Sequence, residues 1–174
     1  MQTSSMIFAG FIQTIDIWID SLDGYTLEML CRLPLNGSWS LGQVYRHIID
    51  DTTWFMEQME IALLNDDNTE MEMTEDARRL FAANDFPDIQ IKGPATYTII
   101  PQPKSKEELK AGLMSIKHYA TKLFSDYNPE LAKGKTEHPG FKFFSAIEWL
   151  QFADMHMRHH LRQKERIDRE LFLK

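Results

Sequence analysis

The sequence predicts an all-α protein, a four-helix bundle with an additional short helix and a long proline-containing loop. Three observations predict it. Apolar residues recur at alternating steps of three and four along several long stretches, which lines them up on one face of a helix. Turn-forming clusters such as Asp23-Gly24 and Asn36-Gly37 separate those stretches. The final segment, from about Phe141 to Lys174, contains neither Gly nor Pro. At 174 residues the chain suits one domain, 1–174, with no repeat or linker to divide it.

Over residues 4–22, Phe8, Phe11, Ile15, Trp18 and Leu22 make one helical stripe, with Ser4 or Ser5 as the expected cap. A short apolar piece with Leu27, Leu30 and Leu33 runs on to Pro34. The second long helix starts after Ser38 or Ser40 and carries Leu41, Val44, Ile48, Phe55, Met59 and Ala62 at helical spacing as far as Asn65-Asp66-Asp67-Asn68. A shorter helix is expected over about 73–83. Residues 85–104 hold four prolines and read as a long irregular loop, of the kind that forms rims and lids. Ser105-Lys106-Glu107-Glu108 has capping-box form and opens a helix to about Tyr127. A loop over 128–139 then leads, through His138-Pro139-Gly140, into the last helix.

Composition narrows the function. Hydrophobic residues are 43% of the chain and charged residues 26%, with 8 Gly and 7 Pro, which describes a folded globular protein. A formal charge of −7, without a basic stripe interleaved with aromatics, argues against a nucleic-acid partner. Cys31 is the single cysteine, so no disulfide forms within the chain; beside Leu30 it reads as a buried structural thiol. The first twenty residues lack a basic lead and are broken by polar residues and acids, so no signal peptide or membrane span is expected, and a cytoplasmic location fits.

The chemistry lies in the histidines. His156 and His160 are four residues apart, about 40 degrees on a helical wheel and one turn above each other, so both can reach one ion. Trp149, Phe152, Ala153, Gln163 and Ile167 share their face, whereas Asp154, Arg158, Arg162 and Glu165 point away. Two imidazoles on an apolar stripe must find hydrogen-bond or metal partners. His47, on the apolar edge of the second long helix near Val44 and Trp54, is the best third ligand. Asp50 and Asp51 are candidates to hold its other ring nitrogen, and Gln163 to orient a bound water or bond a neighbouring helix. His159 is rotated off the pair, His118 reads as a surface or interface residue, and His138 as a helix-start residue or a loop ligand.

Two blocks of the sequence stand out: one is Trp39-Ser40-Leu41-Gly42-Gln43-Val44-Tyr45-Arg46-His47-Ile48-Ile49-Asp50, and the other runs from His138-Pro139-Gly140 through Glu148-Trp149-Leu150 to His156-Met157-Arg158-His159-His160-Leu161-Arg162-Gln163. They resemble those of the DinB/YfiT-like superfamily. The resemblance, which spans most of the chain from about residue 34, implies a DinB-like four-helix bundle, often a homodimer. Its metal ligands are then His47, His156 and His160, holding a divalent transition metal (nickel, zinc, iron or manganese) with positions open to water or a small-molecule substrate. The enzymes of that superfamily include transferases and isomerases that use low-molecular-weight thiols. The expectation is therefore a metal-dependent thiol S-transferase or hydrolase, with the 85–104 loop over the substrate. The alternative is a non-catalytic bundle, stabilised by metal and acting as a dimeric interaction or sensor module, whose ion would be closed by a fourth ligand such as His138 or His159.

Overall fold

Phe11, Ile15, Trp18 and Leu22 are all buried, and they lie on the first helix, α1 (Ser4–Ser21), and the 3-10 turn that prolongs it (Leu22–Gly24). The cap is Thr3, whose hydroxyl accepts the Met6 N–H, one residue earlier than the two serines that suggested themselves. In this computed structural model, residues 2–35, 37–88 and 100–173 are described. Asn36 and the centre of the proline-containing loop, 89–99, lie outside them, so the expected loop cover over a substrate does too.

The remaining elements are α2 (Leu27–Cys31), α3 (Leu41–Leu64), α4 (Glu75–Ala83), α5 (Lys106–Asp126), a hairpin of β1 (Lys135–His138) and β2 (Lys142–Ser145), and α6 (Ala146–Leu171). The four long helices α1, α3, α5 and α6 form the bundle. α6 packs most extensively on α3 and α1, and α5 packs on α3 and α1 in turn. Every apolar position expected on α3, from Leu41 to Ala62, is buried. No described helix is long and apolar enough to cross a membrane.

The start of α3 is fixed tightly. Ser40 accepts the Gln43 N–H, Gln43 accepts the Ser40 N–H, and the Ser40 hydroxyl also donates to Gln102 at 2.8 Å. Gly42, on the first turn, is required for close approach: a Cβ there would sit 2.7 Å from the Pro103 ring and 2.9 Å from the Leu30 carbonyl. Cys31, at the end of α2, is only partly buried, contrary to expectation.

The segment before α6 differs from the sequence reading. His138-Pro139-Gly140 does not start a helix but turns an antiparallel hairpin in which Lys135 pairs with Ser145 and His138 with Lys142. α6 begins five residues later than expected, where the Ser145 N–H and hydroxyl both donate to the Glu148 carboxylate at 2.8 Å. The hairpin is tied to the body by the Trp149 indole N–H, which donates to the Thr136 hydroxyl at 2.6 Å.

Candidate metal centre

α3 contributes His47 and α6 contributes His156 and His160, and the packing of those two helices brings the three rings together. The Nε2 of His160 lies 3.1 Å from the Nε2 of His47 and 3.2 Å from the Nε2 of His156. One ligand nitrogen from each lies within 4.8 Å of the other two. Among the described residues no further His, Cys, Asp or Glu joins that group; His138 and His159 do not.

The tautomers follow from the second nitrogens. Nδ1 of His160 faces the Gln163 side-chain oxygen at 2.7 Å, an acceptor, so the proton sits on Nδ1 and Nε2 presents a bare lone pair. Nδ1 of His47 faces Asp51 Oδ1 at 3.5 Å, which favours the same arrangement. Nδ1 of His156 is buried without a partner, so that ring's polar contacts lie on its Nε2 side. Burial disfavours the imidazolium form throughout: it brings His47 down to about 4 and His160 to about 3, with the neighbouring histidines adding to the effect, and holds His156 well below the usual range. Neutral imidazoles with lone pairs converging over about 3 Å repel unless a proton or a cation lies between them. A set of three nitrogens is one that zinc, nickel and iron accept.

Of the two acids beside His47, the structure selects one. Asp51 faces His47, and its Oδ2 lies 3.7 Å from His156 Nε2. Burial, then the charge of Asp50, raises its carboxyl to about 6. Asp50 is exposed, and the carboxylate that faces His47 is that of Asp51. Trp39 of the first sequence block packs on His47 at 5.0 Å, and Phe55 packs on His156 at 5.5 Å between ring centres. His118 is exposed, as expected.

Three residues read as facing away from the centre have work of their own. Arg158 donates to the Asn84 carbonyl and Arg162 to both Asp85 oxygens and the Phe86 carbonyl, so they clamp residues 84–86 onto α6. Asp154 is buried, not solvated: it accepts from the Thr14 hydroxyl at 2.6 Å and from Arg158 at 3.0 Å. The signal available in the sequence was the spacing of Arg158, Arg162 and Arg166 at steps of four, with acids at Asp85 and Asp88 to receive them. His159 sits beside this clamp, 3.4 Å from Arg162 and packed on Phe86.

The family model of the DinB superfamily matches residues 11–163. The chain belongs to the DinB superfamily. Within this DinB chain the match takes in α1 from Phe11 onward and all three clustered histidines. A solved structure that it resembles is YfiT from Bacillus subtilis, a probable metal-dependent hydrolase with an unusual four-helix bundle topology. The two share 14% identity with a TM-score of 0.63, over 97% of this chain and 89% of YfiT, a likeness of fold. No curated protein matches the DinB chain.

Proposed function

We propose that the protein is a metal-dependent enzyme in which His47, His156 and His160 hold one divalent transition metal and a water or a low-molecular-weight thiol is the nucleophile. The observation that carries this reading is the convergence of three neutral Nε2 groups, a set that no fourth His, Cys, Asp or Glu joins among the described residues. A structural ion is closed by four protein ligands; three leave a position for a small molecule.

Such an ion, when bound, acts as a Lewis acid that brings the pKa of a bound water or thiol toward neutrality. The chain's own residues do the rest. Gln163 keeps His160 in the tautomer that exposes Nε2 to the cluster. Asp51, whose two oxygens face His47 and His156, is placed to take the proton a nucleophile gives up and to return it to a leaving group. The aromatic rings behind the cluster, Trp39 and Phe55, limit the access of water. YfiT's description as a probable hydrolase supports water as the nucleophile; a small thiol would use the same residues.

The test is metal per chain by elemental analysis on protein purified without a histidine tag, for wild type and for His47→Ala, His156→Ala and His160→Ala. About one equivalent, lost in each variant, is expected. No metal in the wild type after incubation with nickel, zinc, manganese and ferrous iron would sink the reading. Ester and amide panels, run with and without an added small thiol, then separate hydrolysis from thiol transfer.

A further inference from the structure

His138 is not one of the three clustered histidines, yet its ring is as firmly oriented as theirs. The Gly140 N–H donates to its Nδ1 at 3.0 Å, across the turn of the hairpin, and the Phe141 N–H donates to its carbonyl at 3.2 Å. Because Nδ1 is occupied as an acceptor, the single proton of the neutral ring sits on Nε2. Burial keeps the ring neutral, bringing it down to about 4. No described residue accepts from Nε2, although the ring is held among Phe141, Phe144, Trp149 and Phe152 at centroid separations of 5.0, 5.3, 5.6 and 4.9 Å. An oriented donor without an acceptor, in an aromatic wall, suits an acceptor brought from outside.

Its place in the bundle says what brings one. Phe152, which it covers, is one helical turn before His156 on α6. Trp54, 6.3 Å away, is three residues after Asp51 on α3. The donor therefore lies along the α3–α6 seam that holds the cluster. Trp54, His138 and Phe141 are all partly exposed, so flat apolar surface borders the donor.

We infer that His138 is a substrate-binding residue of this centre, its Nε2–H donating to a carbonyl or carboxylate oxygen of a substrate whose planar, apolar part lies against Trp54 and Phe141. The inference rests on the catalytic reading of the three-histidine cluster for its meaning, but its test does not depend on that reading.

Benzoate and cyclohexanecarboxylate serve as probes, titrated into metal-free and zinc-incubated full-length protein whose zinc content is measured on the same samples. The readouts are the nitrogen-15 and proton shifts of the His138 Nε2–H group and the tryptophan fluorescence. Benzoate is expected to move the His138 resonance and to bind more tightly than the non-planar acid. His138→Phe, which keeps an aromatic ring and removes the donor, should weaken benzoate about 3- to 10-fold and leave zinc content unchanged. His138→Gln, which keeps a donor near the Nε2 position, should restore most of the affinity. Benzoate that leaves the His138 resonance unmoved, or binds His138→Phe as well as wild type, would overturn the inference. Should the phenylalanine variant not fold, the wild-type resonance decides alone. Absence of zinc would instead count against the metal reading, and the metal-free titration would still decide the role of His138.

Discussion

The Gln163 side-chain oxygen lies 2.7 Å from Nδ1 of His160, and this one contact decides which nitrogen of His160 turns toward α3. Replacing the acceptor frees Nδ1 to lose its proton and lets the ring present the wrong tautomer. Gln163→Leu is expected to weaken zinc binding about 10- to 100-fold while the far-UV circular dichroism stays that of wild type. A chelator competition titration checks it, and unchanged affinity would show that the tautomer is set elsewhere.

The metal-free protein should lose stability as the solution is acidified. His47, His160, His138 and His156 all have folded-state values below the ordinary 6.5 because they are buried, so the unfolded chain binds protons more readily than the folded one. Their contribution is complete above about 6.5 and is lost as pH falls toward 4 and 3. Asp51 runs the other way: its value is raised from 3.8 to about 6, so its contribution is present below 3.8 and lost as pH rises through 6. Four groups against one give a net loss on acidification. Urea unfolding of metal-free protein at pH 7.5 and pH 5 should show a lower midpoint at the lower pH, and His156→Phe should flatten the difference.

Thr136→Val should destabilise more than its size suggests. It removes the acceptor of the buried Trp149 indole N–H, and leaving that donor unsatisfied costs about 1–3 kcal/mol. In a double-mutant cycle with Trp149→Phe the combined loss should be smaller than the sum of the two, because the second change removes the donor left stranded by the first. Additive losses in chemical denaturation would mean the bond contributes nothing.

Gly42→Ala runs against the usual rule. In an exposed helix interior the change favours the helix by about 1 kcal/mol. Here the new methyl meets the Pro103 ring and the Leu30 carbonyl, the second of which is backbone and cannot swing aside. Net destabilisation of about 1–2 kcal/mol is expected from overpacking, measured by denaturant midpoint; a more stable variant would show that α2 and Pro103 yield easily.

The bundle was legible because α1 and α3 carry apolar stripes of about four turns or more, and burial of Phe11, Ile15, Trp18, Val44, Ile48 and Phe55 follows from that spacing. The hairpin was not. Its strands are four residues each, too short for alternation to register, and Phe141 and Phe144 continue a plausible helical face toward Trp149. The overlooked mark is Ser145-x-x-Glu148, a capping-box pattern that places the helix start where it is found. Clustering of His156 and His160 followed from their spacing, and His47 from the block around Trp39. The choice between Asp50 and Asp51 needed a further rule: helical side chains lean toward the N-terminus, so the residue four along reaches back over His47. Asp154 points away from the histidine face, as the helical wheel has it, yet is buried, because α6 is covered by α3 on one side and by α1 on another.

The two halves of the cluster stand far apart in the order of synthesis. His47 and His160 are 113 residues apart, so α3 is synthesised well before α6 and the two halves cannot meet until α6 has been made. Docking of α6 along α1 and α3 is the step that creates the cluster. Any ion the cluster holds would therefore be selected by the finished fold and not by a nascent chain.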